Sequence, residues 1–392
     1  MSRGPHILAI LTAVLVALTG CAGAAPEPVR DPHPADGPLP VVDTSALRPP
    51  TPFTGLRMVD PGWSVAPQYA DGVFLAPAAR EDLQRFTAVD VQGEVRWVAE
   101  RPADSTGFAV TADADGRALA VLTDVHRPAG VASDKVTATA YELATGDPVW
   151  GPVEVPGPHA GPGLVFARSS DDSARTSGTR TVLDPTTGRV LASESGTSGQ
   201  RVLGEYHGTV LVTDDRTLTA LNATGGQELW QIPLAEHGRV RTAIHPSGAA
   251  AAAEGLALLE AEHSPGLLID LRKGSILNET ARDAAVDPGT GTVVVLDEAG
   301  LHATRDGQHL WSLPVTDDTR LAALGGALVY LREGGAVRVH NVITGEVADA
   351  YTPAMAGTIL VPARITADGA AVFTEGPRHL LATLVPEPGA SG

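Results

Sequence analysis

A chain of 392 residues with 43% hydrophobic residues can bury a large core, and a formal net charge of −18 repels phosphate backbones, which argues against nucleic acid as a partner. Its 43 Gly and 31 Pro suit a fold of many tight turns better than one of long helices. The only Cys lies at position 21, so the folded part has no disulfide, no thiolate metal site and no Cys nucleophile.

The first residues carry an export signal. Arg3 supplies a positive start, and residues 7–18 form an apolar stretch interrupted only by Thr12, too short to span a bilayer. It ends in Leu18-Thr19-Gly20-Cys21, which resembles the lipobox of bacterial lipoproteins. The resemblance implies a signal peptide over residues 1–20, a diacylglyceryl thioether on Cys21, and attachment to the outer face of the cytoplasmic membrane. Residues 21–52 are rich in Pro and Ala, lack hydrophobic periodicity, and read as a disordered, extended tether.

From residue 53 onward the chain repeats itself. An alternating strand, an Asp, Asn or Glu, a Gly turn and a second strand recur seven times, with turn glycines at Gly93, Gly146, Gly188, Gly226, Gly274, Gly307 and Gly345. Four copies carry Trp four residues after the Gly, at Trp97, Trp150, Trp230 and Trp311; the others place Ala192, Asn278 and Asp349 there. The first copy, Asp90 to Gly93, is one residue tighter than the rest. The mean spacing is about 42 residues, the length of one four-stranded propeller blade. Further turn clusters, such as Asp71-Gly72, Asp113 to Gly116 and Asp368-Gly369, lie upstream of apolar strands and supply a second hairpin per repeat. The stretch 249–260 is Ala-rich, but its place in the repeat predicts a strand.

The spacing Asp-x-x-Thr-Gly-x-x-x-Trp resembles the repeat of the pyrroloquinoline-quinone-type β-propellers, over nearly all of residues 63–384. The reading is an all-β fold: one propeller over residues 53–386 and a disordered tail over 387–392. Residues 364–385 give only three strands of a last blade. Residues 55–65 can supply the fourth and close the ring at eight blades, with seven as the alternative count.

The chemistry is sparse. The Trp residues follow the repeat, so they are expected to pack between blades rather than bind a ligand. Quinone-dependent alcohol dehydrogenases resemble this repeat but add an adjacent Cys pair, a calcium site and a catalytic Asp in a longer chain, and no such Cys pair exists here. No His-Glu-x-x-His, nucleophile elbow, phosphate loop or dinucleotide fingerprint occurs. The acidic pairs Asp171-Asp172, Asp214-Asp215 and Asp317-Asp318 read as solvated turns, so neither a cofactor nor a metal is expected. The expectation is a lipid-anchored, extracytoplasmic, non-catalytic binding or scaffold propeller whose face meets a protein or small-molecule partner. At the repeat level it is similar to the propeller lipoprotein of the Gram-negative outer-membrane assembly machine, although the Arg- and Ala-rich composition points to an actinobacterium. The alternative is a propeller hydrolase or lyase acting on sugar or cell-wall material.

Overall fold

A computed structural model describes residues 27–386, apart from 36, 81, 106, 127–134, 169–177, 195–198, 215, 245–254 and 353–355. The strands assemble into eight antiparallel blades, the first seven ordered in sequence from the axis outward. Blades 1 to 7 occupy residues 68–102, 108–155, 158–193, 201–233, 240–278, 283–313 and 320–351. In blade 3 the innermost strand is reduced to a bridge between His159 and Phe166, supported by hydrogen bonds from Ala160 N to Val165 O and from Ala167 N to Pro158 O.

Burial grades across each blade, and the sequence follows it. Strands second from the axis, such as Val73–Ala79 and Ala118–His126, are apolar on both faces because neighbouring blades cover both sides. Outer strands such as Glu228–Pro233 and Val347–Tyr351 are mostly exposed and carry polar residues. Leu256–Ala261 is a strand paired with Leu267–Asp270, so its position in the blade overrides the helical preference of Ala and Leu. Residues 249–254 of that stretch lie outside the described residues.

Blade 8 settles the blade count. Val361–Ile365, Ala371–Glu375 and Arg378–Pro386 form its first three strands, and Leu56–Trp63 pairs antiparallel with the last of them. The chain's beginning and end are therefore sealed into one sheet, which removes two open edges. Met58, Val59 and Trp63 are buried in this seam.

Residues 27–50 differ from the extended tether expected of them. His33 N and O exchange hydrogen bonds with Val98 O and N on the outer strand of blade 1, each 2.9 Å long. Glu100 N bonds Val29 O, Arg30 pairs with Asp124 at 2.6 Å, and the Tyr141 hydroxyl donates to Asp31. Further along, Val42 N bonds Met58 O and Asp60 N bonds Pro40 O on the outer strand of blade 8. Leu47–Arg48 then pairs with Thr358–Ile359, and Thr51 N bonds the Tyr351 hydroxyl of blade 7. The Pro-rich segment is thus a strap across the rims of blades 1, 2, 8 and 7. It docks through backbone groups and a few polar side chains, which need no hydrophobic periodicity. Residues 21–26 of the expected tether, the signal peptide with Cys21, and the tail 387–392 lie outside the described residues.

Candidate functional site

The repeat glycines and tryptophans form a set of inter-blade joints. The indole Nε1 of Trp97 donates to Leu143 O, Trp150 to Pro185 O, Trp230 to Leu271 O and Trp311 to Val342 O, at 2.7–2.9 Å. Each acceptor lies three residues before the turn glycine of the next blade, and each indole lies over that glycine. A Cβ on Gly146, Gly188, Gly274 or Gly345 would come within 3.1 Å of indole atoms. These glycines also have φ between +63° and +78°, a region costly for other residues. Where the Trp is missing the joint changes. Leu191 covers Gly226, Thr383 of blade 8 covers Gly93, and Gly307, which follows the Asn278 position, has nothing within 4 Å.

The turns behave as the repeat predicts. Asp184, Asn222, Asp270 and Asn341 each use Oδ1 to accept backbone N–H groups two or three residues on. The first turn is tighter: Gly93 N bonds Asp90 O, whereas Gly146, Gly188, Gly226, Gly274 and Gly345 bond the carbonyl four residues back. The acidic clusters are turns as well. Asp113 accepts from Asp115 N and Arg117 N and pairs with Arg117, and Asp214 accepts from Arg216 N and Thr217 N. Asp318 is held below the usual carboxylate range by hydrogen bonding from the Thr316 hydroxyl. Asp171-Asp172 and Asp215 lie outside the described residues. Among the described residues no three His, Cys, Asp or Glu side chains form a metal-binding group.

None of those positions lines a cavity of about 500 Å³ that lies among the innermost strands, on the propeller axis. Six blades contribute to it: Gln68 and Tyr69, Val110, His159 to Gly163 with Arg180, Glu205 and His207, Thr242 and Ala243, and Arg364. Glu205 is buried, and burial raises its carboxyl above the usual range against three hydrogen bonds that favour the carboxylate. Those bonds come from Gly208 N at 2.7 Å, Thr111 Oγ1 at 2.9 Å and Leu164 N at 3.2 Å. They tie the inner edges of blades 2, 3 and 4 together. His207, half-buried in the turn that follows, is pushed down to about 4 by burial and then by the positive charge of Arg364. The Arg364 guanidinium stands 5.2 Å from the Tyr69 ring centre, a cation–π contact between blades 8 and 1. Gln68 links blades 1 and 2, accepting from Val110 N at 2.7 Å and donating to Phe108 O at 3.3 Å. The Tyr206 hydroxyl is buried without a hydrogen-bond partner among the described residues.

Sequence reasoning missed these residues. They come from six different blades, at distances that no motif spans. The available signal was a charged residue inside an otherwise apolar innermost strand, as in Arg201–Tyr206 with Glu205 and Val361–Ile365 with Arg364.

A second polar constellation lies at the rim of blade 6. Asp297 Oδ1 lies 3.1 Å from His302 Nε2, His302 Nδ1 lies 2.9 Å from Ser312 Oγ, and His309 Nε2 lies 2.8 Å from the same oxygen. Burial would raise the Asp297 carboxyl, but hydrogen bonds from Asn278 and Ala299 N, with His302, hold it below the usual range. A register shift between Ala303 and Thr304 marks a bulge beside His309.

A family model described as "Outer membrane protein assembly factor BamB" matches residues 133–286. No curated protein sequence matches this chain. Among solved structures, BamB from Moraxella catarrhalis is 16% identical over 84% of this chain and 96% of its own, with a TM-score of 0.44. Sqt1 from Saccharomyces cerevisiae is 14% identical over 84% of this chain and 98% of its own, with a TM-score of 0.42. Quinohemoprotein alcohol dehydrogenase from Comamonas testosteroni is 13% identical over 84% and 76%, with a TM-score of 0.38. The chain is an eight-bladed β-propeller whose strand pairing stands on its own, with BamB-like repeats over blades 2 to 5.

Proposed function

We propose that this protein is a membrane-anchored, extracytoplasmic, non-catalytic propeller that holds a protein or small-molecule partner at one of its faces. The observation that carries the reading is the state of Glu205. It is the one carboxylate lining the axial cavity among the described residues, and its oxygens already accept from Gly208, Thr111 and Leu164. A carboxylate committed in this way is a brace between blades and a poor general base, because each lost bond would leave a buried donor unpaired. The BamB-like repeat supports a protein partner, and the lipobox supports attachment through Cys21.

The test pairs localisation with capture. The full chain should fractionate with membranes and crosslink to a defined neighbour, and the complex should reform from purified components. A Glu205→Gln variant that stays folded should keep that partner. Turnover of a glycan or cell-wall substrate that Glu205→Gln abolishes would overturn the reading.

The alternative, a hydrolase, draws on one observation: the Asp297–His302–Ser312 chain is a carboxylate, an imidazole and a hydroxyl in series. Such a series can activate a Ser nucleophile. A serine-reactive phosphonate would then label the wild type and not Ser312→Ala. Equal labelling of both removes the alternative.

A further inference from the structure

Blade 3 breaks the repeat at the propeller axis. Every other blade places an innermost strand of three to six residues there, whereas blade 3 has only the His159–Phe166 bridge. The sequence explains the gap. Five of the seven residues over 157–163 are Gly or Pro, which supply no side chain or no N–H to a strand. Gly163 is also fixed by a close approach, because a Cβ there would collide with Glu205 of blade 4. The residues that replace the strand, His159 to Gly163, form one wall of the axial cavity.

Through this gap comes Arg180. Every other residue lining the cavity belongs to an innermost strand, to its replacement in blade 3, or to the turn that follows. Arg180 instead opens the third strand of its blade, Arg180–Leu183, where it pairs with Ala167. Its guanidinium is half-buried. Nη1 donates to Val202 O at 3.3 Å, and among the described residues no carboxylate pairs with it. Most of its five N–H donors therefore stay open to a ligand. Across the cavity Arg364 stacks on Tyr69, and its positive charge reaches His207. With Glu205 ionised, the lining carries two guanidiniums against one carboxylate, in a protein whose net charge is −18. The Glu205 oxygens face inter-blade donors. The rest of the wall is apolar, from Val110, Ala160, Pro162 and Ala243, beside the Tyr69 ring.

We propose that the axial cavity binds a compact organic monocarboxylate, with its head on the Arg180 guanidinium and its apolar body against Tyr69 and Pro162. This deepens the non-catalytic binding reading, on which it rests, by naming a ligand class. A planar guanidinium fork matches a carboxylate. One such ligand neutralises the surplus positive charge of the lining. The volume, about 500 Å³, lies within the roughly 300–1,000 Å³ of small-molecule sites.

The test is calorimetric titration of the full chain with benzoate, with benzamide as its uncharged counterpart and with phenyl phosphate. Benzoate should bind roughly tenfold or more tightly than either. Arg180→Gln should remove the preference over benzamide and leave benzamide binding unchanged. Arg201→Gln is the control, because Arg201 donates to Val240 O at 2.8 Å on the next blade but does not line the cavity. It should keep the preference. If Arg180→Gln does not fold, Arg180→Lys keeps the charge without the fork and should bind benzoate severalfold more weakly than wild type. Undetectable benzoate binding, equal affinity for benzamide, or tighter binding of phenyl phosphate overturns the proposal. So does a preference that survives in Arg180→Gln, or in its absence an unchanged affinity in Arg180→Lys. Membrane fractionation and partner crosslinking do not depend on these titrations, so the ligand and the anchored scaffold can fail separately.

Discussion

The indole of Trp230 lies directly over Gly274 of the next blade, and its Nε1 donates to Leu271 O at 2.8 Å. The pair explains why the two residues recur together: the turn needs positive φ, and the indole needs a neighbour without a side chain. A Cβ on Gly274 would fall 2.5 Å from Trp230 Cγ, whereas one on Gly307 would meet nothing within 4 Å. Both glycines have positive φ, so each Ala substitution carries a backbone penalty of about 1–2 kcal/mol. Gly274→Ala adds overpacking of about 1–3 kcal/mol. Denaturant titration should therefore show Gly274→Ala clearly less stable than Gly307→Ala. Equal midpoints would mean that the Trp joint yields without cost.

That joint was legible in the sequence, and so was the blade count, because both depend on local turn chemistry repeated at a fixed interval. Leu56–Trp63 could be assigned to the last blade because residues 364–385 supplied only three strands. The strap was not legible. Its contacts run from backbone groups of Val29, His33 and Pro40 to blade edges, and such contacts leave no pattern in side-chain type. The axial site was not legible for a different reason. Tyr69, Glu205 and Arg364 converge only after the ring has closed, from blades 1, 4 and 8.

The buried turn at His207 should be visible in the pH dependence of stability. Its folded-state value, about 4, is below the ordinary 6.5. As pH falls below 6.5 the unfolded chain takes up a proton that the folded chain refuses until about pH 4. Stability is therefore lost progressively across that window, by up to about 3 kcal/mol. Glu205 acts in the opposite sense: its raised value favours protonation of the folded state, so acidification relieves a cost there. Comparing wild type with His207→Asn cancels the Glu205 contribution, and Asn suits the φ of +45° at this position. The variant should lose less stability than wild type between pH 6.5 and 4.5 in thermal melts. Parallel curves would show that His207 is protonated freely in the fold.

Membrane attachment through Cys21 is testable by one substitution. Thioether lipidation needs the thiol, so Cys21→Ser should move the protein from the membrane pellet to the soluble fraction. Retention in the pellet would show that something other than the lipobox holds it. Because the strap belongs to the fold, the released variant should melt like the wild type.

Ring closure and the strap can be separated by truncation. A chain starting at Thr51 lacks the strap but keeps Leu56–Trp63. It loses the His33–Val98 and Val42–Met58 backbone bonds and the Arg30–Asp124 pair, which bare the outer edges of blades 1 and 8. Each such bond is worth about 1 kcal/mol, so its melting temperature should drop by a few degrees, more than an undocked tether would cause. A chain starting at Ala66 also loses the buried Met58, Val59 and Trp63, each worth about 1.5–3 kcal/mol of burial. It further exposes the paired edge of Arg378–Pro386, a template for association with other chains. Light scattering and thermal melts should then show the longer truncation aggregating at a much lower temperature than the shorter one. If the two melt together, Leu56–Trp63 does not hold the ring, and the stability of blade 8 must come from its own three C-terminal strands and their contact with blade 7.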